Sequence, residues 1–96
     1  MQRGPVLYYI YMDGCGACAQ AKPHLARWEK KNPGLLKVKR IDLLNSNWVH
    51  PWQPDGTPTY VLEVPGYRRV SHMGVLYEEQ IPKFLMKAQQ MMRQYR

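Results

Sequence analysis

Apolar and polar positions alternate with two different periods along this chain. Val6 to Met12 is a continuous apolar run rich in branched and aromatic residues. It is too short for a buried helix and predicts a buried strand, which Asp13-Gly14 ends. Beyond it, Cys18, Ala21, Leu25 and Trp28 recur every three or four residues, with Lys22, Arg27, Lys30 and Lys31 between them. That spacing predicts an amphipathic helix opening at Cys15 and running to about Lys31, where Asn32-Pro33-Gly34 stops it. Pro23 falls inside the pattern, and its missing N–H predicts a kink.

The second half is more broken. Leu35 to Asp42 alternates with an ambiguous phase, Leu36, Val38 and Arg40 opposing Lys37, Lys39 and Ile41, and predicts a second strand. Leu43 to Trp52 has room for a short helix punctuated by Asn45, Ser46, Asn47 and Pro51. After the Asp55-Gly56 turn, Tyr60 to Val64 reads as a third strand, and Pro65-Gly66 turns it into a fourth from Tyr67 to His72. Glu78 to about Met92 closes the chain as a helix with Ile81, Leu85, Ala88 and Met92 on one face and Phe84 and Met91 beside them. The cluster of Met86, Met91 and Met92 reads as adaptable core packing. Strands one and two need a crossover and lie parallel, whereas the last two form a hairpin. The expected architecture is an α/β fold of order β-α-β-α-β-β-α, with a four-stranded mixed sheet flanked by helices.

Size changes this picture little. Ninety-six residues, 45 % of them hydrophobic, suit a single domain over 1–96 with one modest core. No apolar run approaches the roughly 20 residues of a membrane span, and the first one leads to cysteines instead of a cleavage site. A cytoplasmic monomer with no membrane association is expected. The formal charge of +7 suits solubility, or attraction of nucleic acid or acidic partners. Lys37, Lys39 and Arg40 together with Arg68 and Arg69 are the candidate positive patch.

The chemistry is concentrated in Cys15-Gly16-Ala17-Cys18, which holds both cysteines of the chain. Two cysteines are too few for a disulfide scaffold, so they read as catalytic or metal-binding. A thiol at a helix N-terminus meets unpaired N–H groups and the positive end of the helix dipole, and such thiols ionise at roughly pH 3.5–7.5. Cys15 is then the nucleophile on a partner disulfide, and Cys18, one turn on and facing inward, resolves the mixed disulfide. The small Gly16-Ala17 pair leaves Cys15 open to large partners. A zinc site needs further ligands, and His24, His50 and His72 have no recognisable spacing to the cysteines, so no metal is expected. Lys22 either favours the thiolate or is a solvated helix lysine. Asp13 either relays protons or merely ends the strand. Tyr11 and Tyr60 border the site or belong to the core, and Trp48 and Trp52 form a partner-facing patch or close the core.

These features together resemble the thioredoxin superfamily. Cys15-Gly16-Ala17-Cys18 is close to the Cys-Gly-Pro-Cys of thioredoxins, and Pro23 falls where they carry a helix-kinking proline. Thr57-Pro58-Thr59 matches the family's cis-proline, and Gly74 its glycine near the active site. The resemblance covers about Val6 to Met92 and lacks the strand and helix that open a full thioredoxin. It implies a minimal thioredoxin fold of glutaredoxin size, with a Cys15–Cys18 redox-active disulfide and no other cofactor. It implies a cis bond before Pro58, and a substrate surface built from Gly16, Ala17, Thr57, Pro58 and Gly74. The implied activity is dithiol–disulfide oxidoreduction of protein disulfides, recycled by a thiol reductant, either a reductase or glutathione. Three departures stand out. Tyr9 replaces a buried aspartate, Gly14 replaces a tryptophan, and Gly74-Val75 replaces the paired glycines and acid with which glutaredoxins hold glutathione. A glutathione-linked glutaredoxin and a basic module binding nucleic acid or an acidic partner are the alternative readings.

Overall fold

The computed structural model describes residues 4–44 and 54–94. Four strands are present, β1 (Val6–Tyr11), β2 (Lys37–Asp42), β3 (Thr59–Glu63) and β4 (Val70–Met73). Helix α1 spans Gly16–Lys31, and a 3-10 turn at Glu78–Gln80 leads into α2 (Ile81–Gln94). The sheet order is β2-β1-β3-β4. β2 runs parallel to β1, and β3 and β4 are each antiparallel to the strand before them in that order. This is the expected mixed sheet, and the crossover through α1 makes β1 and β2 parallel.

The continuous apolar run of β1 has a direct cause, because both faces of this central strand are covered. Leu7 and Tyr9 join Ala21, Leu25 and Trp28 of α1 and Ile81, Leu85, Ala88 and Met92 of α2 in the larger core cluster. Tyr8 and Ile10 point the other way and pack with Val61, Val6, Ile41 and Leu43. The phase of β2 is thereby settled. Leu36 and Val38 pack toward the helices, Ile41 toward the opposite face.

Three expectations are corrected. The fourth strand starts at Val70, not Tyr67, because the Tyr67 N–H donates to the Val64 carbonyl and closes a turn, and the ladder begins with Leu62 opposite Val70. Of the three methionines assigned to the core only Met92 is there. Met86 is 64 % and Met91 39 % exposed, since each follows or precedes the buried stripe by one residue, a rotation of about 100°. The final helix also opens as a 3-10 turn, with Ile81 starting the regular helix. The short helix expected over Leu43–Trp52 lies almost wholly outside the described residues, as do Trp48 and Trp52 themselves. Among the described residues no helix is long and apolar enough to cross a membrane.

Helix α1 carries the site, and its ends are well satisfied. At its C-terminus the Asn32 amide donates to the Trp28 carbonyl at 2.8 Å, and the Asn32 backbone N–H to that of Glu29. Pro23 lies within the helix and deprives the Ala19 carbonyl of its partner. Ala19 is exposed, so water can take that place.

Candidate active site

The position of Cys15 is made by the way α1 begins. Gly14 turns the chain at φ +81°, a conformation that a side chain would strain. Cys15 follows with extended backbone angles as the residue capping α1, its carbonyl accepting from Ala19 N–H at 3.1 Å. Its sulfur does what a serine or aspartate oxygen does at a helix start, accepting the Cys18 N–H at 3.1 Å. A negative sulfur is a better acceptor there than a neutral one, so the cap itself favours the thiolate. Cys15 and Cys18 are joined as a disulfide with their Cα atoms 5.2 Å apart. Cys15 is half-buried, whereas Cys18 is only 5 % exposed and forms part of the inward stripe. Nothing occupies the space a side chain at Gly16 would fill, which leaves the outer approach to Cys15 open.

The loop before β3 supplies the other wall. The Thr57–Pro58 peptide is cis, and Pro58 is buried. The Thr57 hydroxyl donates to Cys15 Sγ at 3.4 Å, and the Thr57 carbonyl lies 3.6 Å from the same sulfur, in reach of the thiol proton when the pair is reduced. Thr59 Oγ1 donates to the Gly56 carbonyl and cinches the loop. Gly74, at φ +113°, donates its N–H to the Pro58 carbonyl at 2.9 Å. Thus Cys15, Cys18, Gly16, Ala17, Thr57, Pro58 and Gly74 are brought to one end of the sheet. Pro23 stays apart on the exposed side of α1.

Below the disulfide, the buried Tyr9 hydroxyl donates to the Cys18 carbonyl at 3.1 Å. The Tyr9 ring stacks on Tyr11 and leans on Tyr60, with centroids 5.8 and 5.2 Å apart. Burial, reinforced by Tyr60, pushes the Tyr9 phenol up to about 12, so at neutral pH it is a fixed donor and no base. Tyr60 is likewise raised by burial, and its oxygen accepts the Leu76 N–H. Tyr11 and Tyr60 therefore serve the core beneath the site. Lys22 and Asp13 are exposed. His72 lies between Tyr60 and Phe84.

The candidate positive patch is divided between the two faces of the sheet. Lys39 and Arg40 are neighbours on one strand and so point to opposite faces, Lys39 over the Tyr8 ring and Arg40 to Glu29 on α1 at 2.8 Å. Arg68 and Arg69 lead into β4, at the opposite edge of the sheet from β2, and Arg69 pairs with Glu63, which also accepts from the hydroxyl of Tyr8, the ring beneath Lys39.

No protein-family model matches the sequence, and no curated protein matches it. Solved structures do. Thioredoxin-2 of a malaria parasite, a component of that parasite's protein secretion machinery, superposes with a TM-score of 0.77 at 15 % identity, over 91 % of this chain and 85 % of its own. A chloroplastic thioredoxin z gives 0.69 at 22 % identity over 90 % and 79 %. The germline-specific thioredoxin Deadhead of Drosophila melanogaster gives 0.71 at 20 % identity over 88 % and 80 %. This is a thioredoxin fold.

Within this thioredoxin fold the sequence did not point to two of the contacts at the cysteines, one to the Cys15 sulfur and one to the Cys18 carbonyl. The Thr57 hydroxyl is one, because a proline motif directs attention to the backbone and not to the side chain before it. The Tyr9 hydroxyl is the other, although its place on the same strand face as Leu7, at the end nearest the cysteines, was a usable signal. The Thr57 bond is testable. Thr57→Val removes the donor at nearly constant shape, and the pH midpoint of Cys15 alkylation by iodoacetamide is expected to rise by about half to one unit. An unchanged midpoint would show that the hydroxyl does not act on the thiolate.

Proposed function

We propose that the protein is a dithiol–disulfide oxidoreductase that reduces disulfides in protein substrates, with Cys15 as nucleophile and Cys18 as resolving thiol. The observation that carries this reading is the disulfide set across the start of α1, with the Cys15 sulfur accepting the Cys18 N–H, Cys15 partly exposed and Cys18 buried. In the reduced form the Cys15 thiolate attacks one sulfur of a substrate disulfide. A Cys15–substrate disulfide forms and the other substrate sulfur leaves as a thiolate. Cys18, having lost its proton, attacks Cys15 Sγ and expels the second substrate thiolate. Two electrons have passed to the substrate, and the protein is left with the Cys15–Cys18 disulfide, which an external dithiol reductant reopens.

The Thr57 backbone beside Cys15 suits an extended substrate segment docking as an added strand. Such a reductase belongs in the cytoplasm, where thiol reductants prevail. The pairing of Arg40 with Glu29 and of Arg69 with Glu63 weighs against a nucleic-acid-binding reading. The test is catalysed reduction of insulin by dithiothreitol, with glutathione substituted as the reductant in a parallel reaction. Catalysis with dithiothreitol is expected, and its absence would sink the proposal. Recycling by glutathione alone would assign the protein to the glutathione-linked branch.

A further inference from the structure

The segment from Gly74 to Glu78 crosses one end of the molecule and gives alternate backbone N–H groups to different elements. Gly74 donates to the Pro58 carbonyl at the head of β3 at 2.9 Å. Leu76 donates to the Tyr60 hydroxyl oxygen at 3.4 Å. Glu78 donates to Nδ1 of His24, on α1, at 3.1 Å. The segment therefore straps together the two elements that meet at the sulfurs, α1 with the cysteines and β3 with the Thr57–Pro58 loop.

The α1 end of the strap is built with some care. An Arg27 nitrogen also approaches His24 Nδ1, at 3.2 Å. With two donors facing it, Nδ1 must offer a lone pair, which places the imidazole proton on Nε2. The His24 ring meets Tyr77 edge-on at 4.9 Å. Arg27 and Lys31, next along the same face of α1, pair with the Glu78 carboxylate. Lys31 first, then Arg27, hold that carboxyl below its usual range. Exposed ion pairs of this kind stabilise little and tolerate many geometries. The bond from a backbone N–H to a ring nitrogen fixes where the strap lies.

We propose that His24 is a positioning residue of the redox site, acting through the strap to hold Gly74 on Pro58 and so keep the partner-docking backbone ordered. The proposal rests on the oxidoreductase reading. An ordered docking edge matters to a protein substrate that must pair with it, and matters little to a small disulfide that needs only Cys15.

The test compares His24→Ala with His24→Asn, whose Oδ1 restores an acceptor near the Nδ1 position. Full-length variants reduce either insulin or bis(hydroxyethyl) disulfide, with dithiothreitol as the reductant. His24→Ala is expected to raise KM for insulin about fivefold, the equivalent of one lost hydrogen bond. Its kcat, and its rate with the small disulfide, should stay within about twofold. His24→Asn should return KM to the wild-type value. Equal losses on both substrates, no loss on insulin, or no rescue by asparagine would each overturn the proposal.

Hydrogen exchange judges the strap without any catalysis. The Gly74 amide is expected to exchange about fivefold faster in His24→Ala and at the wild-type rate in His24→Asn. Unchanged exchange in His24→Ala refutes the strap. A wild-type protein inactive on both disulfides refutes the oxidoreductase reading and leaves exchange to decide about the strap.

Discussion

Reduced Cys18→Ser protein mixed with a disulfide-bearing substrate is expected to accumulate a covalent complex through Cys15. Cys15→Ser is expected to form none. The asymmetry follows from position. Cys15 Sγ caps the helix and is reachable from outside, while Cys18 is 5 % exposed and reaches no partner directly. With Cys18 replaced, the mixed disulfide has no internal thiol to open it, so it persists until an external thiol exchanges with it. Electrophoresis without reductant should show the complex, and added dithiothreitol should dissolve it. Turnover by Cys15→Ser should fall on the order of a thousandfold or more, to the uncatalysed rate of the reductant. Trapping through Cys18 instead, or turnover surviving in Cys15→Ser, would reverse the assignment of the two sulfurs.

Alkaline stability is the second large effect. Tyr9 is 3 % exposed, and its phenol ionises near 12 in the fold against an ordinary value of 10. The unfolded chain loses this proton first. Between those two values it binds fewer protons than the folded chain, so stability falls as pH rises. The contribution is complete below pH 10 and is lost by about 12, amounting to about 2 to 3 kcal/mol. Tyr60 and Tyr8, both raised, act with the same sign. Tyr9→Phe removes one such share. At neutral pH it should cost about 1 kcal/mol through the lost bond to Cys18. Above pH 10 its stability should fall less steeply than that of the wild type, in urea unfolding measured at each pH. Parallel curves would mean that Tyr9 does not carry the alkaline loss.

The elements that the sequence made legible are those whose periodicity comes from burial. β1 is apolar throughout because it is covered on both faces, and the buried stripe of α1 is the predicted one residue for residue. The thiol pair was legible because a strand ending in a turn, followed by a helix, puts Cys15 at the cap. Positions fixed by long-range partners were not legible. The start of β4 depends on where Val70 meets Leu62, and the place of Met86 and Met91 on α2 depends on a rotation of one residue. The contacts of Thr57 and Tyr9 with the two cysteines need the sheet to be assembled first. Thr57 is 42 residues from Cys15 in sequence, and no local pattern links them. The resemblance led to the proline loop but carried no information on the side chain that faces the sulfur.

The dispersal of positive side chains has a consequence for how partners arrive. Among the described residues, Lys22, Lys30, Lys83 and Lys87 are exposed on the helices, Lys39 lies over Tyr8 on the other face, and Arg68 and Arg69 lead into the edge strand away from β2. The net positive charge draws an anionic molecule inward at long range. A net charge taken alone speeds collisions and does not orient the visitor. On the proposed function, orientation falls to the last few ångströms, where the Thr57 loop and Gly74 would meet the incoming chain. Added salt should therefore slow encounters with acidic substrates while leaving the preference among substrates of equal charge unchanged.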